Sequence, residues 1–227
     1  MLSFDEMKIR EDIVYDRAND SLLGPHKQAQ VAVLRGLIKQ WKQPVFYDFD
    51  CSMSKDLLFS LMSAAESAGI HVVACVCDMG PSNMKLWRSC NISTEHVWIT
   101  HPCSPNSRVY FFADVPHIMK LLRSHILDEG LASRGVTLNK ELFESYLDKD
   151  HSDMQLCPKL SRSNINVVGA KRMQARPAIQ LLSRTTAQAL TYIDFRKEAE
   201  SSQILTLDSL FDVPYLIPTP YITIRKG

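Results

Sequence analysis

The chain has 227 residues, 45% of them hydrophobic and 22% charged, with a formal net charge of +1. That is enough chain for a sizeable core in one domain or two small ones, and the composition is that of an ordinary globular protein. It excludes a strongly basic protein that binds nucleic acid by bulk charge alone, although a local Lys/Arg cluster is all that phosphate contacts require. No apolar stretch approaches membrane-spanning length, and Met1 to Arg10 lacks the basic-then-apolar form of a secretory signal.

Leu2 to Ile9 is short, apolar-rich and interrupted by charge, which predicts a strand with a polar end. Because the chain opens directly on such a strand, further sequence upstream is expected. Asp12 to Tyr15 predicts a second strand, followed by a turn through the Asn19 to Pro25 cluster. Val31 to Ile38 and Val45 to Phe49 are the next strands. The period then changes: Leu57, Leu58, Leu61, Met62 and Ala65 recur at helical spacing, with Ser54 as N-cap and Gly69 as stop. Ile70 to Cys77 is almost wholly apolar and predicts a strand buried on both faces. Ser82 to Arg88 predicts a short helix, Arg108 to Ala113 a buried strand, and His117 to Leu127 another helix.

A run of early strands joined by short connections, then strands alternating with helices, predicts an antiparallel meander extended by parallel additions. This is the RNase H-like plan, a mixed five-stranded sheet with flanking helices; a flavodoxin-like sheet would alternate from the outset. After Gly130 the character becomes helical, over Leu138 to Leu147 and Met173 to Tyr192, with a polar stretch between. The expected domains are 1–130 for the sheet, 131–200 for a separate, mainly helical piece, and 201–227 for a divergent tail. That tail, with Pro214, Pro218 and Pro220, predicts an irregular strand or a poorly folded end.

Two aspartates sit at predicted strand ends, Asp5 in SFDEMK and Asp78 in CVCDMG. Carboxylates there stand on a rigid frame where a ligand can reach them. If the strands are neighbours the two converge, and two unit charges about 4 Å apart repel by roughly 4 kcal/mol at an effective dielectric near 20. Sharing a proton or holding a hard divalent cation such as magnesium relieves that repulsion. The plainer alternative is a pair of turn aspartates. Asp48 and Asp50 alternate with aromatics in FYDFD and suit edge or capping roles better than ligation. Asp114, with His117 and Lys120, either orients a phosphate or caps the helix that Pro116 begins. Asn83 stands among polar positions and Trp87 at helical spacing, where a Trp is usually core. Lys171, Arg172, Arg176 and Arg184 recur through one predicted helical stretch, as a solvated face or a DNA-backbone track. The six cysteines form no CxxC pair, so buried reduced thiols are expected and no zinc motif is legible.

The runs SFDEMKIR, GLIKQWKQPVFYDFD, CDMGPSNMKLW and FFADVPHIMKLLRSHILD resemble the catalytic core of P-element-type DNA transposases and their THAP-domain-containing animal relatives. The similarity is collinear from about Leu2 to Leu190. It implies Asp5 and Asp78 as the first two catalytic, magnesium-holding carboxylates, 78 − 5 = 73 residues apart. The family's third acidic residue is a glutamate on a late helix. Nothing around Glu198 or Glu200 matches it, and both are expected to be solvated helix-end charges. SDMQLCPKL and NINVVGAKRMQARPAIQLLSRTT resemble the start of the family's guanine-nucleotide-binding insertion. That implies GTP as cofactor and Lys159 as a nucleotide contact, although no phosphate loop supports it. The resemblance further implies DNA as partner, a nuclear location, and association with itself or with full-length transposase. With the glutamate and the family's zinc-binding DNA-recognition module unmatched, the chain is expected to be a fragment that is inactive alone. The alternative is a non-catalytic regulator that binds DNA or the transposase.

Overall fold

The computed structural model describes residues 1–150 and 155–212, with side chains through 209. It divides into two compact units, Met1–Asp114 and Val115–Gly227.

The first unit is built on ten-residue-scale segments whose alternation sorts them onto one sheet. Its strands are β1 (Leu2–Lys8), β4 (Gln28–Arg35), β5 (Lys42–Phe49), β6 (Ala74–Cys77), β7 (Trp98–His101) and β8 (Ser104–Ala113), with a small hairpin β2 (Val14–Asp16) and β3 (Ser21–Leu23) apart. The six-stranded order is β5-β4-β1-β6-β8-β7. β1 runs antiparallel to β4, β4 to β5, and β7 to β8, whereas β1–β6 and β6–β8 are parallel. This is the RNase H-like mixed sheet expected, with one strand more. The extra strand, β7, spans only four residues and folds back on β8. The strand expected over Ile70 to Cys77 is shorter, beginning at Ala74.

Strand period two decides the core face. Leu2, Phe4, Ala32, Leu34, Cys75, Val109 and Phe111 are buried on one side. Helix α1 (Lys55–Ser67) covers that side with Leu58, Met62 and Ala65. The helix starts where predicted, because Ser54 Oγ accepts the Leu57 amide at 3.2 Å, and Gly69 ends it with φ +77°. Each fully buried Leu or Met there stabilises the fold by roughly 2 kcal/mol. Helix α2 (Pro81–Ser89) adds Leu86 and Trp87, and Trp87 meets Phe111 edge-on at 6.2 Å. At the outer edge β5 gains an extra residue between Pro44 and Phe46, a bulge opposite Ala32 and Val33.

The second unit is mainly helical. It contains α3 (Val115–Asp128), the hairpin β9 (Leu131–Ser133) and β10 (Val136–Leu138), α4 (Lys140–Lys149), α5 (Arg162–Ile165), α6 (Ala175–Leu181), α7 (Arg184–Ile193) and α8 (Glu198–Asp212). Arg134 and Gly135 both have positive φ, as a two-residue hairpin turn that follows the strand twist requires. Asn139 caps α4 by accepting the Leu142 amide at 3.0 Å. The long helix expected from Met173 to Tyr192 is broken: a short 3-10 turn precedes α6, and Ser183 starts α7 by accepting the Thr186 amide. The tail also departs from expectation, since α8 carries a helix to Asp212, and Pro214, Pro218 and Pro220 lie outside the described residues. Met119, Ile126, Phe143, Leu181, Leu190 and Ile204 form the core. Arg123 is buried in this unit and donates to the carbonyls of Arg172 (2.6 Å) and Gln174 (3.2 Å).

Candidate functional site: a row of carboxylates

β1 and β6 pair in parallel with Leu2 opposite Cys75 and Ser3 opposite Val76. Carried to the strand ends, the same register sets Asp5 opposite Asp78, since 5 − 2 = 78 − 75. β6 and β8 pair with Cys77 opposite Ala113, so Asp78 falls opposite Asp114, whose amide donates to the Cys77 carbonyl at 2.8 Å. Residues in register on parallel strands project to the same side and stand about 5 Å apart. Three aspartates therefore share one level on the side away from Leu2, Cys75 and Phe111: Asp78 and Asp114 just past the ends of β6 and β8, and Asp5 in the middle of β1, which runs on to Lys8 along β4, rather than at the strand end expected. Asp5 is exposed; Asp78 and Asp114 are half-buried.

The Cys77 thiol beneath them senses all three. Burial pushes its pKa up to about 12; the Trp87 N–H, donated to Sγ at 3.2 Å, works against that, and the charges of Asp78, Asp5 and Asp114 add to it. Such a thiol is inert packing material. Cys75, Cys90 and Cys157 are also buried, whereas Cys51 is half-buried and Cys103 exposed, so the expectation of buried thiols holds for four of the six.

Asp78 is the most firmly positioned of the three. Its Oδ1 accepts the Gly80 amide at 2.9 Å and Asn83 Nδ2 at 2.7 Å, so both bonds fall on one oxygen and Oδ2 keeps its lone pairs. The word DMGPSN thus has a local logic. Asp78 closes a turn onto Gly80, Pro81 opens α2 as its first residue, and Asn83, only 2% exposed, reaches back from the first turn. Gly80 suits the close approach, because a Cβ there would meet Asp78 Oδ1 at 3.0 Å. Sequence reasoning missed the role of Asn83, although an Asp followed two residues later by Gly is a legible turn signal. On β1, Gln30, fully buried on β4, donates Nε2 to the Asp5 carbonyl at 3.2 Å and fixes the backbone at that level.

Other candidates lie elsewhere. Asp48 bonds the Phe49 amide. Asp50, held below the usual carboxylate range by His26 and the Lys27 and Gln28 amides, ties down the loop before β4. His117 and Lys120 are on α3 of the second unit. Lys159 sits at the exposed tip of a turn closed by the Leu160 amide on the Cys157 carbonyl. Glu198 and Glu200 open α8, and Glu200 pairs with Lys197 at 2.7 Å. The basic residues do not share one helix: Arg172, in the 3-10 turn, is committed to both oxygens of Asp128 at 2.7 and 2.6 Å. Among the described residues no helix is long and apolar enough to cross a membrane.

Residues 1–91 match the family model "TNP-like, RNase H N-terminal domain". The Transposable element P transposase of Drosophila melanogaster is 37% identical over 191 residues, which is 84% of this chain and 25% of that protein. The chain is a P-element-type transposase relative. The solved Drosophila P element transposase strand transfer complex superposes with a TM-score of 0.85 at 34% identity, over 93% of this chain and 50% of the solved one. The transposase-like chain therefore spans about a quarter of the curated relative's length and half of the solved chain's, and the RNase H-like assignment of its first unit rests on both sequence and fold.

Proposed function

We propose that this chain supplies the first two metal-holding carboxylates, Asp5 and Asp78, of a DNA transposase that cuts and rejoins phosphodiester bonds. The observation that carries the reading is their placement in one register row on adjacent parallel strands. The donor set fits a hard divalent cation: oxygen atoms only, fixed by a sheet, with solvent access at Asp5 for water and phosphate ligands. Magnesium, when bound, lends Lewis acidity to an attacking water or 3′-hydroxyl and to the leaving oxygen. The chain's own part is positional. Gly80 and Asn83 lock Asp78 through Oδ1 and aim Oδ2 outward, Gln30 steadies the Asp5 backbone, and Asp114 deepens the negative potential that draws a cation.

DNA follows as partner from the transposase relationship and from the strand transfer complex of the solved relative, and a nuclear site of action follows from DNA. The guanine nucleotide does not fit what surrounds Lys159: a solvated ammonium at a turn tip is no phosphate cradle, and no step is assigned to it. On this proposal two carboxylates by themselves hold a metal loosely, and no cleavage of DNA by the chain alone is expected.

Magnesium titration tests the reading. Millimolar magnesium should raise the melting temperature of the chain and leave Asp78→Asn unmoved, and a labelled transposon end should stay intact. An Asp78→Asn chain that keeps the full magnesium shift sinks the assignment, and cleavage by the chain alone sinks the claim of inactivity.

A further inference from the structure

We propose a second metal site, for a zinc-type cation, formed by Glu66, His71 and His101 at the opposite end of β6 from Asp78. Glu66 is in the last turn of α1, His71 precedes β6, and His101 ends β7. One ligand atom from each lies within 4.8 Å of the others. Glu66 Oε2 is 2.8 Å from His71 Nδ1 and 3.7 Å from His101 Nε2. Ligands of a tetrahedral zinc with bonds of about 2.0–2.1 Å stand roughly 3.3 Å apart, a value these two separations bracket. The rings of His71 and His101 lie side by side, 4.6 Å apart at 30°.

A second observation is independent of that clustering. The His101 side chain is fully buried, and its Nε2 has no hydrogen-bond partner. Buried polar atoms are rarely left so, because the lost hydration is not recovered. A cation at the centre of the cluster satisfies Nε2 directly. The Cys103 amide donates to His101 Nδ1 at 3.2 Å, which sets the ring proton on Nε2. Ligation moves that proton to Nδ1 and opens the contact with Cys103; at His71 the proton that Nδ1 donates to Glu66 Oε2 moves to Nε2, so neither ring gains or loses a proton.

The donor chemistry separates this site from the carboxylate row. Two imidazole nitrogens with one carboxylate oxygen suit zinc, whereas magnesium keeps to oxygen. Glu66 and His71 are each more than one-third exposed, so a water completes the fourth position. The bound ion would clamp the end of α1, the entry to β6 and the tip of β7, adding to the Ile70 amide bond to Ala65 and the Cys103 bond to Ser63.

The test uses the full chain carrying Asp5→Asn and Asp78→Asn, so that the carboxylate row is silent. Zinc at about 100-fold over its dissociation constant should raise the melting temperature by roughly 5–10 °C. Cobalt(II) should give the visible absorption of a tetrahedral site, and the Cys103 amide resonance should shift. His71→Gln and Glu66→Gln change surface-reaching groups, so they keep the fold, checked by circular dichroism. Each should weaken zinc binding by at least about tenfold. A melting temperature indifferent to zinc overturns the proposal, as does equal affinity in the parent, His71→Gln and Glu66→Gln.

Discussion

The two units treat charge in opposite ways. In the first, the core beneath the sheet is apolar, and Asp5, Asp78 and Asp114 line up on the far side of it. In the second, charge is spent on pairing within the unit. Arg123 is buried against two backbone carbonyls, Arg172 grips Asp128 with two bonds, and Asp194 is held far below the usual carboxylate range by Arg196, with Lys149 assisting. A sheet fixes its strands through backbone bonds, so side chains along it can be set in a row, as Asp78 is by Gly80 and Asn83. A unit of short helices and turns must satisfy many helix termini and loop carbonyls, and puts Arg123 to that use. Counting charges therefore says little about function; what matters is where the fold sets them.

The largest expected effect breaks the second half of that contrast. Arg123→Ala removes a large buried side chain and orphans two carbonyls, and should cost about 3 kcal/mol by urea unfolding. Hydrogen exchange should quicken in α6 and stay slow in α1. Equal loosening of both helices would mean that Arg123 is no internal brace. Next comes Asn83→Ala, which strips the buried donor from Asp78. It should cost about 2 kcal/mol, the worth of a hydrogen bond to a charged group. If the row holds magnesium, affinity should drop by roughly tenfold as well, read by calorimetry. Gly80→Ala is gentler: backbone φ of −63° is open to any residue, so only the 3.0 Å approach to Asp78 matters, at about 1 kcal/mol.

The smallest effect is acid sensitivity of the second unit. Asp128, lowered by its bond to Arg172, and Asp194, lowered by its bond to Arg196, have folded pKa values below their unfolded ones. The unfolded state then binds more protons, so their stabilisation is complete above the ordinary Asp value near 3.9 and is lost as pH falls from there through the folded values. Asp128→Asn should flatten the acid limb of the stability curve, and added salt should flatten it too. An unchanged acid limb would show that the Arg172 pair carries no stability.

Legibility followed the same division. β1, α1 and α2 were readable because local signals agreed with burial: alternation in SFDEMK, Ser54 and Gly69 bracketing an apolar stripe, Pro81 at a helix start. Asp5 and Asp78 could be named from the sequence, but their shared level came only from strand register, and so did the inclusion of Asp114. β7 was missed because four residues give too few alternations to count. The break at Ser183 was hidden by apolar residues that continue at helical spacing across it. The Glu66, His71 and His101 cluster has no motif: five residues separate the first two and thirty the last two, and only the return of β7 beside β8 closes the gap.

The bulged outer strand has a bearing on solubility. β5 is the sheet's open margin, largely exposed along its length, with Tyr47 at 73%. Such a margin invites another chain to add a strand, yet here Lys42 carries charge at its start, Pro44 offers no amide hydrogen, and the extra residue beside Pro44 throws the pleat out of step. An incoming strand would find its ladder interrupted near the middle of this edge.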